Sequence, residues 1–169
     1  MQDIRKLLAI IEPAHNESLA LKRAKEIASV TKAHLHLLIC DKEHNHSDFL
    51  SLLETVVRGK GYSVTSEQAW HESEHQTIIK VQQAENCGLV IKQHIPANPL
   101  KKLLLTPEDW KLLRYCPCPV LLTKTAEPWN KGVVLAAVDV GNSDPEHMEL
   151  HSSIVKYGFR AASLAQARL

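Results

Sequence analysis

What most constrains this chain is the alternation of two hydrophobic periods along it. Short, nearly continuous apolar runs occur at Leu7-Leu8-Ala9-Ile10-Ile11, from Leu35 to Cys40, at Gly88-Leu89-Val90-Ile91 and at Val120-Leu121-Leu122. Runs of this length are expected of strands buried on both faces of a sheet. Between them lie segments with helical spacing. From Ser47 to Arg58, Phe49, Leu52, Leu53, Val56 and Val57 stand at i, i+3, i+4, i+7 and i+8, and Gly59 and Gly61 close the segment. Residues 16–31 read as another helix, with Ala20, Ala24, Ile27, Ala28 and Thr31 along one side. Tyr62 to Trp70 alternates and is rich in β-formers, as a strand near a sheet edge would be. Ser73 with Gln76 has the spacing of a capping box. Thr106-Pro107-Glu108-Asp109 starts a helix strongly: a capping hydroxyl, proline at the first helical position, and two acids at the positive end of the dipole. Strands alternating with helices imply an α/β domain with a mostly parallel sheet.

Charge and composition narrow the function classes. Among 169 residues, 20 Lys plus Arg stand against 19 Asp plus Glu, for a formal net charge of +1. That balance gives no electrostatic footprint for nucleic acid or an anionic membrane. No apolar run approaches the roughly 18 residues that a membrane-spanning helix needs. The start, Met1-Gln-Asp-Ile-Arg-Lys, runs straight into a strand without a leader pattern, and the expected location is the cytoplasm. The four cysteines are then expected as reduced thiols.

Periodicity is lost over residues 126–132 and then restarts. Val134-Leu135-Ala136-Ala137-Val138-Asp139 echoes Leu7 to Glu12: an apolar strand ending in an acid, then a polar loop and a helix bearing Leu150, Ile154, Val155, Gly158, Ala162 and Ala165. No cap signal marks the end of that helix. The expected organisation is a complete domain over 1–125, a linker over 126–132, and the first strand and helix of a second copy over 133–169. One strand and one helix cannot bury their apolar faces alone. They are expected to pack on the first domain or on another chain, or else to expose a hydrophobic patch. A homodimer is the expectation, with residues 133–169 packed either on their own domain or across the neighbour.

Two features carry a resemblance to a known family: the acid closing the first strand, and Cys116-Pro117-Cys118-Pro119-Val120 between the last helix and strand of the domain. Both resemble universal stress proteins, and the Pro128-Trp129 linker with a restarted strand is similar to the tandem type of that family. The resemblance implies a five-stranded parallel sheet of order 3-2-1-4-5 with helices on both faces, an adenine-nucleotide alpha-hydrolase-like fold, a role in the stress response, and dimerisation through the last strand. Many members bind ATP through a glycine, two residues, a second glycine, nine residues, and a third glycine followed by Ser or Thr. Phosphate needs backbone N–H groups there, at a helix N-terminus that side chains leave open. In this chain those positions fall on Gln93, Pro96 and Thr106, with Pro107 where the hydroxyl would be. The spacing survives without the residue types, and two prolines remove two donors. Glu12 stands where nucleotide-binding members carry Asp. The expectation is therefore a non-enzymatic interaction or dimerisation module that has lost the ATP motif, with no cofactor, no metal and no catalytic residue. Any small ligand would sit at the carboxyl ends of the strands, at the switch point between the first and fourth, lined by Glu12, Cys40, Asp41, Gln93 and His94. The alternative is a nucleotide or small-ligand sensor with a rearranged pocket.

Ten histidines raise other possibilities. His71-Glu72-Ser73-Glu74-His75 matches the zinc-hydrolase pattern, but that mechanism needs all five residues in one helix, and Ser73 reads as a cap between the two histidines. His34 and His36 alternate on the second strand and should share a face. His44-Asn45-His46-Ser47-Asp48 offers two imidazoles and a carboxylate that could hold zinc or nickel, but a specific metal site needs three or four ligands fixed by supporting contacts. Cys116 and Cys118 lack the spacing of a redox motif. Lys101-Lys102 and the Lys22/Arg23/Lys25 group read as solvated helix faces.

Overall fold

The computed structural model describes residues 4–14, 18–96, 105–139, 141 and 144–169. They form two compact units, 1–126 and 127–169. In the first, five strands, β1 (Lys6–Ile10), β2 (His34–Cys40), β3 (Val64–Ala69), β4 (Leu89–Gln93) and β5 (Val120–Thr123), alternate with four helices, α1 (Leu19–Thr31), α2 (Ser47–Gly59), α3 (Glu74–Ala84) and α4 (Pro107–Tyr115). The strands pair in parallel in the order β3-β2-β1-β4-β5, as the resemblance implied.

Period-two alternation divides the central strand between two cores. Leu7 and Ala9, with Ile11 beyond, face the helices α1 and α2, where Ala20, Ala24, Ile27, Leu50 and Val57 are buried. Leu8 and Ile10 face the opposite way onto Ile78, Val81 and Leu112 of α3 and α4. Complete burial of strand leucines on both faces is why this run reads as continuous rather than alternating. β3 lies at one edge, as its weaker pattern suggested, and β5 at the other.

Helix boundaries follow local chemistry. Ser18 caps α1, its side chain accepting from Leu21 N–H, and Ser73 caps α3 from Gln76 N–H. Thr106 and Asp109 close α4 with a full reciprocal capping box. Two features depart from the sequence reading. Helix α1 ends without glycine: Lys32 itself adopts the left-handed conformation (φ 59°), its N–H bonding Ala28 O. Arg23, expected on a solvated face, is buried, with its guanidinium bonded to Glu26 Oε2 at 2.6 Å and Thr125 O at 3.2 Å. Lys101 and Lys102 lie outside the described residues.

In the second unit, α5 (Pro145–Ala165) forms where helical spacing was read, and it does carry a cap: Gln166 is left-handed (φ 51°). Ala167 N–H then bonds Ala162 O at 2.8 Å, turning the tail back so that Arg168 exchanges hydrogen bonds with Gly132 O and Val134 N–H. The run 134–139, expected as a strand, forms none here; its pairing is an isolated bridge between Val133 and Arg168. A strand needs a neighbour along its length to satisfy its N–H and C=O groups, and this segment meets one residue of the tail.

No helix among the described residues is long and apolar enough to cross a membrane.

Candidate functional site

The carboxyl ends of β1, β2 and β4 meet around the switch point, where β1 pairs with β2 on one side and β4 on the other. Glu12 follows β1 and is half-buried. Cys40 ends β2; burial pushes its thiol well above the ordinary range, and the Glu74 and Glu12 carboxylates add to the shift while Lys92 opposes it. Glu12 and Cys40 thus share an electrostatic neighbourhood in which the Cys40 thiol is held protonated.

Alternation along β4 separates the other two expected lining residues. Gln93 turns toward α1, its Oε1 accepting from Leu19 N–H at 3.1 Å and so satisfying a donor of the helix start. His94 turns toward α4 and is buried, with Nδ1 donating to Asp109 Oδ2 at 2.8 Å. Its Nε2 is buried with no hydrogen-bond partner among the described residues. Asp41 faces away from this group, toward its own loop, where His46 and His44 meet its Oδ2 at 2.7 and 3.3 Å.

The centre of the arrangement is a buried polar network that the sequence reading missed. Lys92 Nζ lies 3.0 Å from Asp109 Oδ1 and 3.3 Å from Glu74 Oε1. Burial alone would lower the Lys92 pKa; the charges of Glu74 and Asp109 outweigh it, and the pKa is raised. Burial likewise pushes the Asp109 carboxyl up, but hydrogen bonds and charge from His94 and Lys92 hold it below its usual range. A lysine inside the run Leu89-Val90-Ile91-Lys92-Gln93 was the available signal, because a buried ammonium requires a carboxylate partner.

Asp109 also closes the N-terminus of α4. Its Oδ2 accepts from Thr106 N–H at 3.2 Å, and Thr106 Oγ1 accepts from Asp109 N–H at 3.1 Å. The end of the helix that would face an anion therefore holds a carboxylate and has donors engaged by its own side chains.

The zinc-hydrolase pattern is not assembled in one helix. His71 precedes α3, with its N–H on Thr77 Oγ1, whereas His75 lies inside the helix with Nδ1 on Glu108 Oε2 at 2.8 Å. His34 and His36 do share a face, as expected, and are braced by β3: His34 by Ser63 and Thr65, His36 by Thr65 and Glu67. Cys116 and Cys118 have their sulfurs 3.8 Å apart at the turn into β5.

Residues 6–124 match the model of the universal stress protein family. The chain belongs to the universal stress protein family. It is 29% identical over 180 residues to universal stress protein E of Photorhabdus laumondii, covering 92% of this chain and 57% of that one. A crystal structure of a universal stress protein from Pseudomonas aeruginosa superposes with a TM-score of 0.92 at 60% identity, over 98% of this chain and 60% of that one. The chain thus spans somewhat more than half the length of these relatives. A universal stress protein solved in complex with cAMP has a TM-score of 0.60 at 12% identity and covers 74% of this chain and 100% of its own, which shows the common fold alone. The universal stress protein fold is the adenine-nucleotide alpha-hydrolase-like one, to which the observed strand order belongs.

Proposed function

We propose that this universal stress protein domain is a non-enzymatic interaction module of the stress response that no longer binds ATP in the family manner. One observation carries the reading: the capping box of Thr106 and Asp109 at the start of α4. A phosphate cradle needs free N–H groups and an uncrowded backbone at a helix N-terminus. Here a buried carboxylate stands in that position, and Pro96 and Pro107 carry no N–H. Gln93 is bonded to the start of α1 instead of leaving a gap for a ligand.

The interaction surface proposed is the free edge of the sheet at β5. Among the described residues no strand pairs with its outer edge, and an unpaired edge is a template for a second copy. Trp110, Leu113 and Tyr115 on the neighbouring α4 are exposed, which supports the same face. In the second unit Met148, Leu150, Val155, Tyr157 and Phe159 of α5 are exposed as well. We read residues 133–169 as the beginning of a second, tandem domain whose apolar helix packs against the neighbouring copy in a homodimer. A cytoplasmic location belongs to the same reading.

Native mass spectrometry of the untagged chain tests it. The expected result is a dimer mass without bound nucleotide; a monomer at high micromolar concentration contradicts the interaction reading.

One observation favours a second reading, a small-ligand sensor with a rearranged pocket: the buried Nε2 of His94 at the end of β4, which has no partner among the described residues. A fold neighbour holds cAMP. This reading requires saturable binding of a nucleotide that Glu12→Ala weakens.

A further inference from the structure

The loop after β2 brings together three metal-ligand atoms: one carboxylate oxygen of Asp41, Nδ1 of His44 and Nε2 of His46, all within 4.8 Å of one another. The sequence paired these histidines with Asp48; the structure pairs them with Asp41, because Asp48 has entered the first turn of α2.

The loop is built so that the three atoms converge. Asp41 Oδ1 accepts from the N–H groups of Glu43 and His44 at 2.7 and 3.3 Å, which leaves Oδ2 as the oxygen presented to both imidazoles. His46 occupies the N-cap position of α2, yet its side chain makes no capping bond and turns back to Asp41. Gln68 of β3 then fixes the main chain of all three residues with one side chain. Its Nε2 donates to Asp41 O at 3.1 Å and His44 O at 2.5 Å, and its Oε1 accepts from His46 N–H at 2.7 Å.

The separations fit an ion. Ligands about 2.0–2.2 Å from a tetrahedral zinc stand roughly 3.4 Å apart. The His44–Asp41 separation of 3.3 Å is long for a charge-assisted hydrogen bond but near that edge length, and the His46–Asp41 separation of 2.7 Å needs to open by roughly 0.7 Å. The side chains of Asp41 and His46 are about one-fifth exposed and that of His44 is largely open, so an ion has access from solvent. The other such cluster among the described residues, His36, Glu67 and Glu85, already holds a cation: Lys6 Nζ lies 2.8 Å from Glu85 Oε2.

We propose that Asp41 Oδ2, His44 Nδ1 and His46 Nε2 form a three-ligand site for a divalent first-row transition ion of the zinc class, with the remaining position open to water. Two imidazoles and one carboxylate suit zinc, cobalt or nickel and leave magnesium and calcium, which favour all-oxygen shells, weakly held. Gln68 is a positioning residue that holds the ligands' backbones without touching the ion.

Titration of the full chain with zinc alone, followed by calorimetry and by the visible spectrum of the cobalt form, tests the site. Because other histidines are present, the quantity read is the zinc bound by the unmodified chain minus that bound by His44→Ala/His46→Ala. A difference of one equivalent, with Gln68→Leu weakening that site roughly 10- to 100-fold while the cobalt spectrum keeps its form, is the expected result. No difference overturns the proposal. Should the double variant fail to fold, the exposed His44→Ala alone decides: unchanged affinity overturns the site, and loss of affinity supports it.

Discussion

Lys92 Nζ and Asp109 Oδ1 meet at 3.0 Å with side chains 7% and 0% exposed, joining the end of β4 to the start of α4. One carboxylate thus performs three tasks: it neutralises a buried ammonium, orients His94, and caps the helix. A group so placed puts a buried carboxylate at the N-terminus of α4 and engages the Thr106 and Asp109 N–H groups in the capping box.

Removing that carboxylate leaves the buried Lys92 ammonium with Glu74 as its one charged partner among the described residues and uncaps α4. Asp109→Ala is expected to lower the unfolding free energy by about 3–5 kcal/mol, the usual cost of breaking a buried pair. Lys92→Met/Asp109→Asn should cost less than the sum of its single substitutions, since it removes both charges. Urea unfolding of the four proteins measures this, and strict additivity would show that the two residues do not interact.

The pair between His75 and Glu108, which ties α3 to α4, makes the domain acid-sensitive. Partial burial pushes the Glu108 carboxyl up, but hydrogen bonds from His75 and Lys111 outweigh it and hold it at about 2 against an ordinary value of 4.5. A lowered carboxylate contributes stability above its unfolded pKa and loses it as pH falls through the folded one. The stability advantage of the unmodified chain over Glu108→Gln should therefore be full above about pH 5 and fade toward pH 2, as followed by urea midpoints.

The cysteines should react in a fixed order. A hydrogen bond from Cys118 lowers the Cys116 thiol, against the upward effect of partial burial, whereas burial pushes Cys87 up to about 12 and Cys40 higher still. With iodoacetamide near neutral pH, peptide mapping should find Cys116 modified first, ahead of Cys40, Cys87 and Cys118, whose thiols are all pushed up. Cys118→Ala should slow the modification of Cys116; a faster rate would contradict the pairing.

Lys32 holds a left-handed conformation at the end of α1 without being glycine. Lys32→Gly should raise stability by about 1 kcal/mol, because a side chain is disfavoured there. Thermal unfolding of the variant reads it directly, and an unchanged or lower midpoint would contradict the strain.

These cases also mark where sequence stops being informative. The strands β1, β2 and β4 were legible because burial leaves a period in the sequence, and the start of α4 because capping is local. Helix α2 forms where its spacing was read, but of the face assigned to it Phe49, Leu52 and Val56 are exposed, while Leu50 and Val57 are buried. The end of α1 was not, since a lysine in a glycine conformation carries no signal. The run 134–139 has strand composition but meets only one residue of a neighbour. Of the expected crevice, Glu12 and Cys40 interact electrostatically, Gln93 and His94 diverge by strand alternation, and Asp41 joins its own loop. The contacts with Asp109, Glu74 and Gln68 come from elements far away in sequence, and periodicity does not encode them.

The measurement closest to the central claim is calorimetric titration of the chain with Mg-ATP up to millimolar concentration. The closed N-terminus of α4 predicts no saturable heat. Saturable one-to-one binding that Glu12→Ala weakens would contradict the account and establish a nucleotide pocket at the ends of β1 and β4.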